Sequence, residues 1–229
     1  MTVLTDLINQ TIGSSGSFHY SLIDARTNNS VLDSPIKFIP QWKQRQLDEE
    51  LRLARIQRGA GEPIDLGLSV KWSNKNLGAP SIEQPGYYVG WGDVTCQNAS
   101  TFYGDYPCVN NICGSQYDAV HHLWAETWRL PTNNEMIELM QKCQWVWTII
   151  NGVPGFQITG STGNSIFLPA GGNRYGLQYE DAYYFGRYWT GEIDPTDNTR
   201  AFFLEFSQQN GQLYSLSRSL GMLIRPVLG

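Results

Sequence analysis

Along 41–58 the apolar positions recur with a helical period. Leu47, Leu51 and Ala54 fall at i, i+4 and i+7, and Asp48 stands four residues before Arg52. Acidic residues come early and Arg52, Arg55 and Arg58 late, which suits the helix dipole, and Gly59-Ala-Gly61 ends the run. The pattern predicts a helix over 41–58 with one narrow apolar stripe, which either packs on its own domain or pairs with copies of itself. Upstream, Ser17-Phe-His-Tyr-Ser-Leu-Ile23 reads as strand or loop. Residues 1–61 together read as an attachment or homo-oligomerisation segment, and 62–229 as the ligand-binding domain.

From Pro63 the period changes to two. Leu66, Leu68, Val70 and Trp72 alternate with Gly67, Ser69, Lys71 and Ser73, the pattern of a strand with one buried face. A loop rich in Pro, Gly and Tyr follows over 79–114 and contains Gly86-Tyr-Tyr-Val-Gly-Trp-Gly92. Ser115 with Asp118 then predicts a capping box, opening a helix whose Ala119, Leu123 and Trp124 share a face. Thr132 with Glu135 predicts a second, with Met136, Leu139, Met140 and Cys143 on the apolar side of its helix. Trp145–Ile150, Gly155–Thr159 and Ser165–Leu168 read as short strands, the first pair joined by an Asn151-Gly152 hairpin turn. Further on, Phe202, Leu204 and Phe206 alternate with Phe203 and Glu205, and Asn210-Gly211 turns the chain into Leu213–Ser217. Gly221–Val227 closes the domain. The sum is an α+β fold: two short helices, small antiparallel sheets and long irregular loops.

Composition narrows the function. Charged residues make up 16% of the 229 positions and the net charge is −5, with no run of Lys and Arg to neutralise phosphates, so nucleic acid is not expected as a partner. The sequence as it stands begins without a basic, apolar leader, and no stretch approaches the about 20 apolar residues that cross a membrane. Neither a signal peptide nor membrane insertion is expected. Cys96, Cys108, Cys113 and Cys143 contain no CxxC pair; Cys108 and Cys113 either bridge or remain thiols. His121 and His122 are adjacent on the expected helix and point apart, so they cannot clamp one metal. With Glu126 they have the residue types for acid–base work, but they sit amid capping and core positions. No catalytic residue, metal or cofactor is expected.

The candidate chemistry lies in the last third. Tyr175, Tyr179, Tyr183, Tyr184, Phe185, Tyr188 and Trp189 crowd one stretch among Gly, Asp and Asn, the composition of a recognition surface: stiff amphipathic anchors with adaptable neighbours. Trp72, Trp91, Trp128 and Trp189 are read as core. Tyr183, Tyr184, Phe185, Arg187 and Tyr188 are too dense for one strand face to bury, and exposed clustered aromatics mark interaction sites. Their alternative is cover by the 79–114 loop. Tyr214, Leu216 and Arg218 share a hairpin face expected to be exposed. Glu192, Asp194 and Asp197 with Arg200 are either polar specificity contacts or a solvated turn closed by Pro195. The expected ligand-binding set is therefore Tyr183, Tyr184, Phe185, Arg187, Tyr188, Glu192, Asp194, Tyr214, Leu216 and Arg218.

Six stretches carry a family resemblance: Asp65-Leu-Gly-Leu-Ser-Val-Lys-Trp72, Gly90-Trp-Gly92, Trp128-Arg-Leu-Pro-Thr132, Gly163-Asn-Ser-Ile-Phe-Leu-Pro-Ala170, Tyr188-Trp-Thr190 and Ile224-Arg-Pro-Val227. In this order they resemble a C-type-lectin-like domain, the fold shared with formylglycine-generating enzymes, and in particular the paralogous modules of gut Bacteroidetes and their phages. Gly186-Arg-Tyr-Trp189, Thr199-Arg-Ala201 and the Ser-rich hairpin after them resemble the variable region of diversity-generating retroelement proteins. The resemblance implies a non-enzymatic receptor-recognition protein, on a phage tail or another extracellular surface, that binds a protein or glycan on a target cell. The alternatives are a bacterial adhesin module with a fixed glycan ligand and, third, an enzyme of the formylglycine type. The Glu-Pro-Asn and Trp-Asn-Asp segments of calcium-dependent lectins are missing, and no cysteine follows Cys143, so neither calcium-held sugar nor formylglycine chemistry is implied.

Overall fold

The computed structural model describes residues 59–96, 109–124 and 127–229, together with 22–23, 30–32, 42–43, 46 and 50. The chain divides into two compact units, Met1–Leu53 and Ala54–Gly229. In the first, β1 (Leu22–Ile23) pairs antiparallel with β2 (Ser30–Leu32). Trp42, Lys43, Gln46 and Glu50 are helical and exposed; the remainder of the 41–58 helix, with its expected apolar stripe and oligomer contacts, lies outside the described residues.

The second unit is α+β with β predominating. Ala60 is buried in its core and a side chain at Gly61 would collide with Ser73, so the folded unit reaches back past position 62. Its first sheet has the order β3 (Pro63–Ile64), β4 (Lys71–Ser73), β14 (Val227–Leu228), β5 (Trp128–Arg129), so the last strand is clasped between segments far apart in sequence. Burial alternates along Leu66, Val70 and Trp72 as the period required, yet only Lys71–Ser73 is strand. Gly67 takes a φ of +76°, which breaks the ladder while leaving the alternation intact.

Helix α1 (Ala119–Trp124) is capped by Asp118 rather than by Ser115, a correction to the expected capping box. Asp118 Oδ1 accepts from the amides of Val120 (2.8 Å) and His121 (3.2 Å), and Oδ2 from those of Gly114 and Leu130 (2.8 Å each). One carboxylate thus satisfies four donors, and Ser115 only closes the turn before it, its hydroxyl accepting from Tyr117 N. Helix α2 (Asn133–Lys142) has the expected box: Thr132 Oγ1 accepts from Glu135 N at 3.2 Å, and Glu135 Oε2 accepts from Thr132 N at 2.8 Å. Arg129 pairs with the same glutamate at 2.6 Å.

A second sheet has the order β6 (Gln144–Ile150), β7 (Val153–Thr159), β8 (Ser165–Pro169). Asn151 and Gly152, at φ of 50° and 82°, form the two-residue turn that the sequence predicts. The two-stranded pair β9 (Asn173–Tyr175) and β10 (Gln178–Glu180) precedes the central sheet of β11 (Gly186–Asp194), β12 (Asp197–Phe206) and β13 (Gly211–Ser217). Phe206 pairs with Gly211, so residues 207–210 make the turn and Gly211 already belongs to the strand, one residue beyond the expected Asn210-Gly211 corner.

The central sheet explains where the core sits. In register, Tyr188 faces Leu204 on one side of the sheet and Trp189 faces Phe203 on the other. The first side joins a cluster with Trp72, Met136, Leu139, Phe156 and Phe206; the second joins one with Trp91, Trp124, Trp128 and Ile193. Both faces of β11 and β12 are therefore covered along much of their length. Phe203 is as deeply buried as Leu204 and Phe206, whereas alternation alone predicts Phe202, Leu204 and Phe206 as the single inner face.

Candidate functional site

The segment between β10 and β11 is held by its backbone. Tyr183 N donates to Ala170 O at 2.7 Å, Phe185 N to Asp181 O at 3.0 Å, and Gly172 N to Phe185 O at 2.7 Å. Asp181 and Tyr183 adopt φ of 60° and 71°, a left-handed conformation that costs an L-residue about 1 kcal/mol or more. The resulting hook turns Tyr183 and Tyr184 outward, and Tyr184 keeps 74% of its surface exposed.

Arg187 fastens this hook to the sheet. Its guanidinium donates to Glu205 at 2.6 Å, to Asp181 at 2.8 Å and to Asn173, and it lies 5.2 Å from the centre of the Phe185 ring. Phe185 and Arg187 are half-buried. They hold the exposed tyrosines in place more than they offer contact area of their own. Arg187, Glu205 and Gln212 stand opposite one another across the three strands, and Tyr214, 43% exposed, lies one step further along the same face with its ring 6.2 Å from that of Phe203.

Two expected contact residues are corrected. Tyr188 is fully buried, its hydroxyl donating to Pro169 O at 2.7 Å, and burial raises its pKa. Arg218 retains only 2% exposure, with its guanidinium 5.3 Å from the centre of the Trp91 ring. Tyr188 lies on the Leu204 and Phe206 face of the central sheet and joins their cluster, while Arg218, just past β13, packs on Trp91 of the cluster on the other face. Leu216 is half-buried against the Trp91 cluster, so it serves packing. Glu192 accepts from Asn133 N at 3.2 Å, at the first residue of α2. Asp194 and Asp197 pair across the Pro195-Thr196 turn, at the end of β11 and the start of β12. Asp194 Oδ1 accepts from the amide and hydroxyl of Thr196, and its Oδ2 from Ser215 Oγ at 2.6 Å; Asp197 Oδ1 accepts likewise from Thr199.

Leu177, at the tip of the β9–β10 pair, is exposed beside Tyr175 and Tyr179 and is not among the residues expected from the sequence. Its signal was the short Tyr175-Gly-Leu-Gln-Tyr179 hairpin, which puts apolar residues at a turn. Tyr179 packs edge-on against Tyr88 at 5.0 Å and beneath Arg174 at 5.7 Å. All four tryptophans read as core are buried: Trp72, Trp91, Trp128 and Trp189.

The groups that bear chemistry elsewhere are quiet. Cys96, Cys113 and Cys143 carry free thiols, and burial pushes those of Cys96 and Cys113 up to about 12. Cys108 and Glu126, hence any acid–base set with His121 and His122, lie outside the described residues. Among the described residues no group of three or more His, Cys, Asp and Glu is arranged to hold a metal, and no helix is long and apolar enough to cross a membrane. Comparison with protein-family models, with curated proteins and with solved structures returned no match for this chain.

Proposed function

We propose that the domain is a C-type-lectin-like recognition module, non-enzymatic and independent of calcium, that binds a protein or glycan on a target cell surface. The observation that carries the reading is the set of outward tyrosines, Tyr183, Tyr184 and Tyr214, mounted on a doubly packed sheet and a hook locked by Arg187. Exposed aromatics on a rigid support give contact area without the entropy cost of ordering a loop. A strained residue such as Tyr183 persists where its presentation is useful. Against the formylglycine-type alternative stand the thiols of Cys96 and Cys113, which are protonated at neutral pH and poor nucleophiles.

Display at a phage tail or cell surface, with the C-terminal part diversified by a retroelement, is the finer form of the same proposal. A reverse-transcriptase gene beside this one, with a near-copy of its 3′ end differing only at adenines, would support it over a fixed glycan adhesin. The direct test is capture of the labelled chain by a panel of intact gut bacterial strains. The expected result is saturable capture by some strains, lost in the Tyr183→Ser, Tyr184→Ser, Tyr214→Ser triple variant at unchanged melting temperature. Undiminished capture by that variant overturns the assignment.

A further inference from the structure

Away from the tyrosine surface, a groove of about 490 Å³ opens between the C-terminal end of α2, strands β6 and β7, and the β12–β13 turn. That volume is in the range of small-ligand sites, about 300–1,000 Å³. Trp145 and Trp147, two apart on β6 and thus on one face, form its aromatic wall with Phe156. The wall is preformed. Trp145 and Trp147 pack edge-to-face on Phe156 at 5.2 Å and 5.1 Å, and Trp145 Nε1 donates to Leu139 O at 3.1 Å. Among the described residues Trp147 Nε1–H has no acceptor.

The opposite rim is polar and uncharged. Gln208, Gln209 and Asn210 are exposed, and among the described residues none of their carboxamides hydrogen-bonds within the protein. No Lys, Arg, His, Asp or Glu lines the groove. This combination selects its ligand by elimination. An ionic ligand would find no counter-charge, and a wholly apolar one would strip water from the carboxamides and return nothing. A carboxamide offers both donor and acceptor, as a hydroxyl does, while indole and phenyl rings match the apolar C–H face of a pyranose.

We propose that this groove binds a neutral saccharide, stacked on Trp147 and Trp145 and held by Gln208, Gln209 and Asn210. The site is separate from the tyrosine surface, so either can stand without the other. The test is isothermal titration of the full chain with gluco-, manno-, xylo-, galacto- and N-acetylglucosamine oligosaccharides, and with sialylated and uronic-acid oligomers as charged controls. At least one neutral series binds. Gln208→Ala with Gln209→Ala, both on the exposed turn, weakens that binding about tenfold or more, and Trp147→Val abolishes it. If Trp147→Val misfolds, the glutamine pair decides. Absence of neutral-sugar binding, preference for a charged oligomer, or undiminished binding by the glutamine variant overturns the proposal.

Discussion

Tyr184 and Arg187 are three positions apart and do different work. Tyr184 protrudes and contacts little, whereas Arg187 ties two carboxylates, a carboxamide and an aromatic ring together. Tyr184→Ser is therefore expected to weaken cell capture and leave stability within about 0.5 kcal/mol of the parent. Arg187→Met is expected to lower both, costing about 2 kcal/mol in urea unfolding, because Glu205 and Asp181 are left facing each other unpaired. Equal stability of the two variants would return Arg187 to the contact surface. Two other carboxylates contribute to the acid response. Lys142 and Ser69 hold Glu138 at about 2 against an ordinary 4.5, and Ser215 and Thr196 hold Asp194 at about 2 against 3.8. Both release their proton more readily folded than unfolded. Their stabilisation is complete above the ordinary values and is lost as pH falls from about 4.5 towards 2. The melting temperature should drop over that interval, and Glu138→Gln with Asp194→Asn should flatten the drop.

At the scale of elements, glycines distinguish two kinds of constraint. Gly152 has φ of 82° and open space where a Cβ would stand, so Gly152→Ala meets only backbone strain, about 1 kcal/mol. A Cβ at Gly186 would run into the ring of Phe206, which packs in turn on Phe156 and Tyr188. Gly186→Ala should cost about 2–3 kcal/mol and disturb the near-ultraviolet signal of the aromatic cluster, whereas Gly152→Ala should leave that signal alone. The capping box of α2 and the Asn151-Gly152 turn were legible in the sequence because each is satisfied within a few residues. The cap of α1 was not. Asp118 also accepts from Leu130, a partner on the far side of α1 that no spacing rule describes.

Arg225 belongs to the scale of the whole molecule. Fully buried near the C-terminal end, it donates to Asn76 Oδ1 (2.8 Å), Ser73 O (2.9 Å) and Phe167 O (2.5 Å), joining three segments of the second unit, with no carboxylate partner among the described residues. Burial holds its pKa down to about 10, still well above neutrality, so the charge is carried by oxygen dipoles alone. Arg225→Lys keeps the charge but loses the planar fork, and is expected to cost about 3 kcal/mol by urea unfolding. A change under about 1 kcal/mol would mean that water replaces the lost donors.

The sequence by itself determined what local forces decide: the period of α2, the turn at Asn151, the burial of Trp72, Trp91, Trp128 and Trp189, and the crowding of tyrosines that marked a candidate surface. Tertiary structure alone decided which of those tyrosines see solvent. Tyr184 faces out from the hook before β11, and Tyr188 faces in on β11, beneath a packed layer drawn from residues as distant as Trp72 and Met136. The aromatic groove was invisible for the same reason, since Met140, Trp147 and Gln209 meet only when α2, β6 and the β12–β13 turn are folded together. Period and capping are read over a few residues, but burial is a property of neighbours that the chain brings together only by folding.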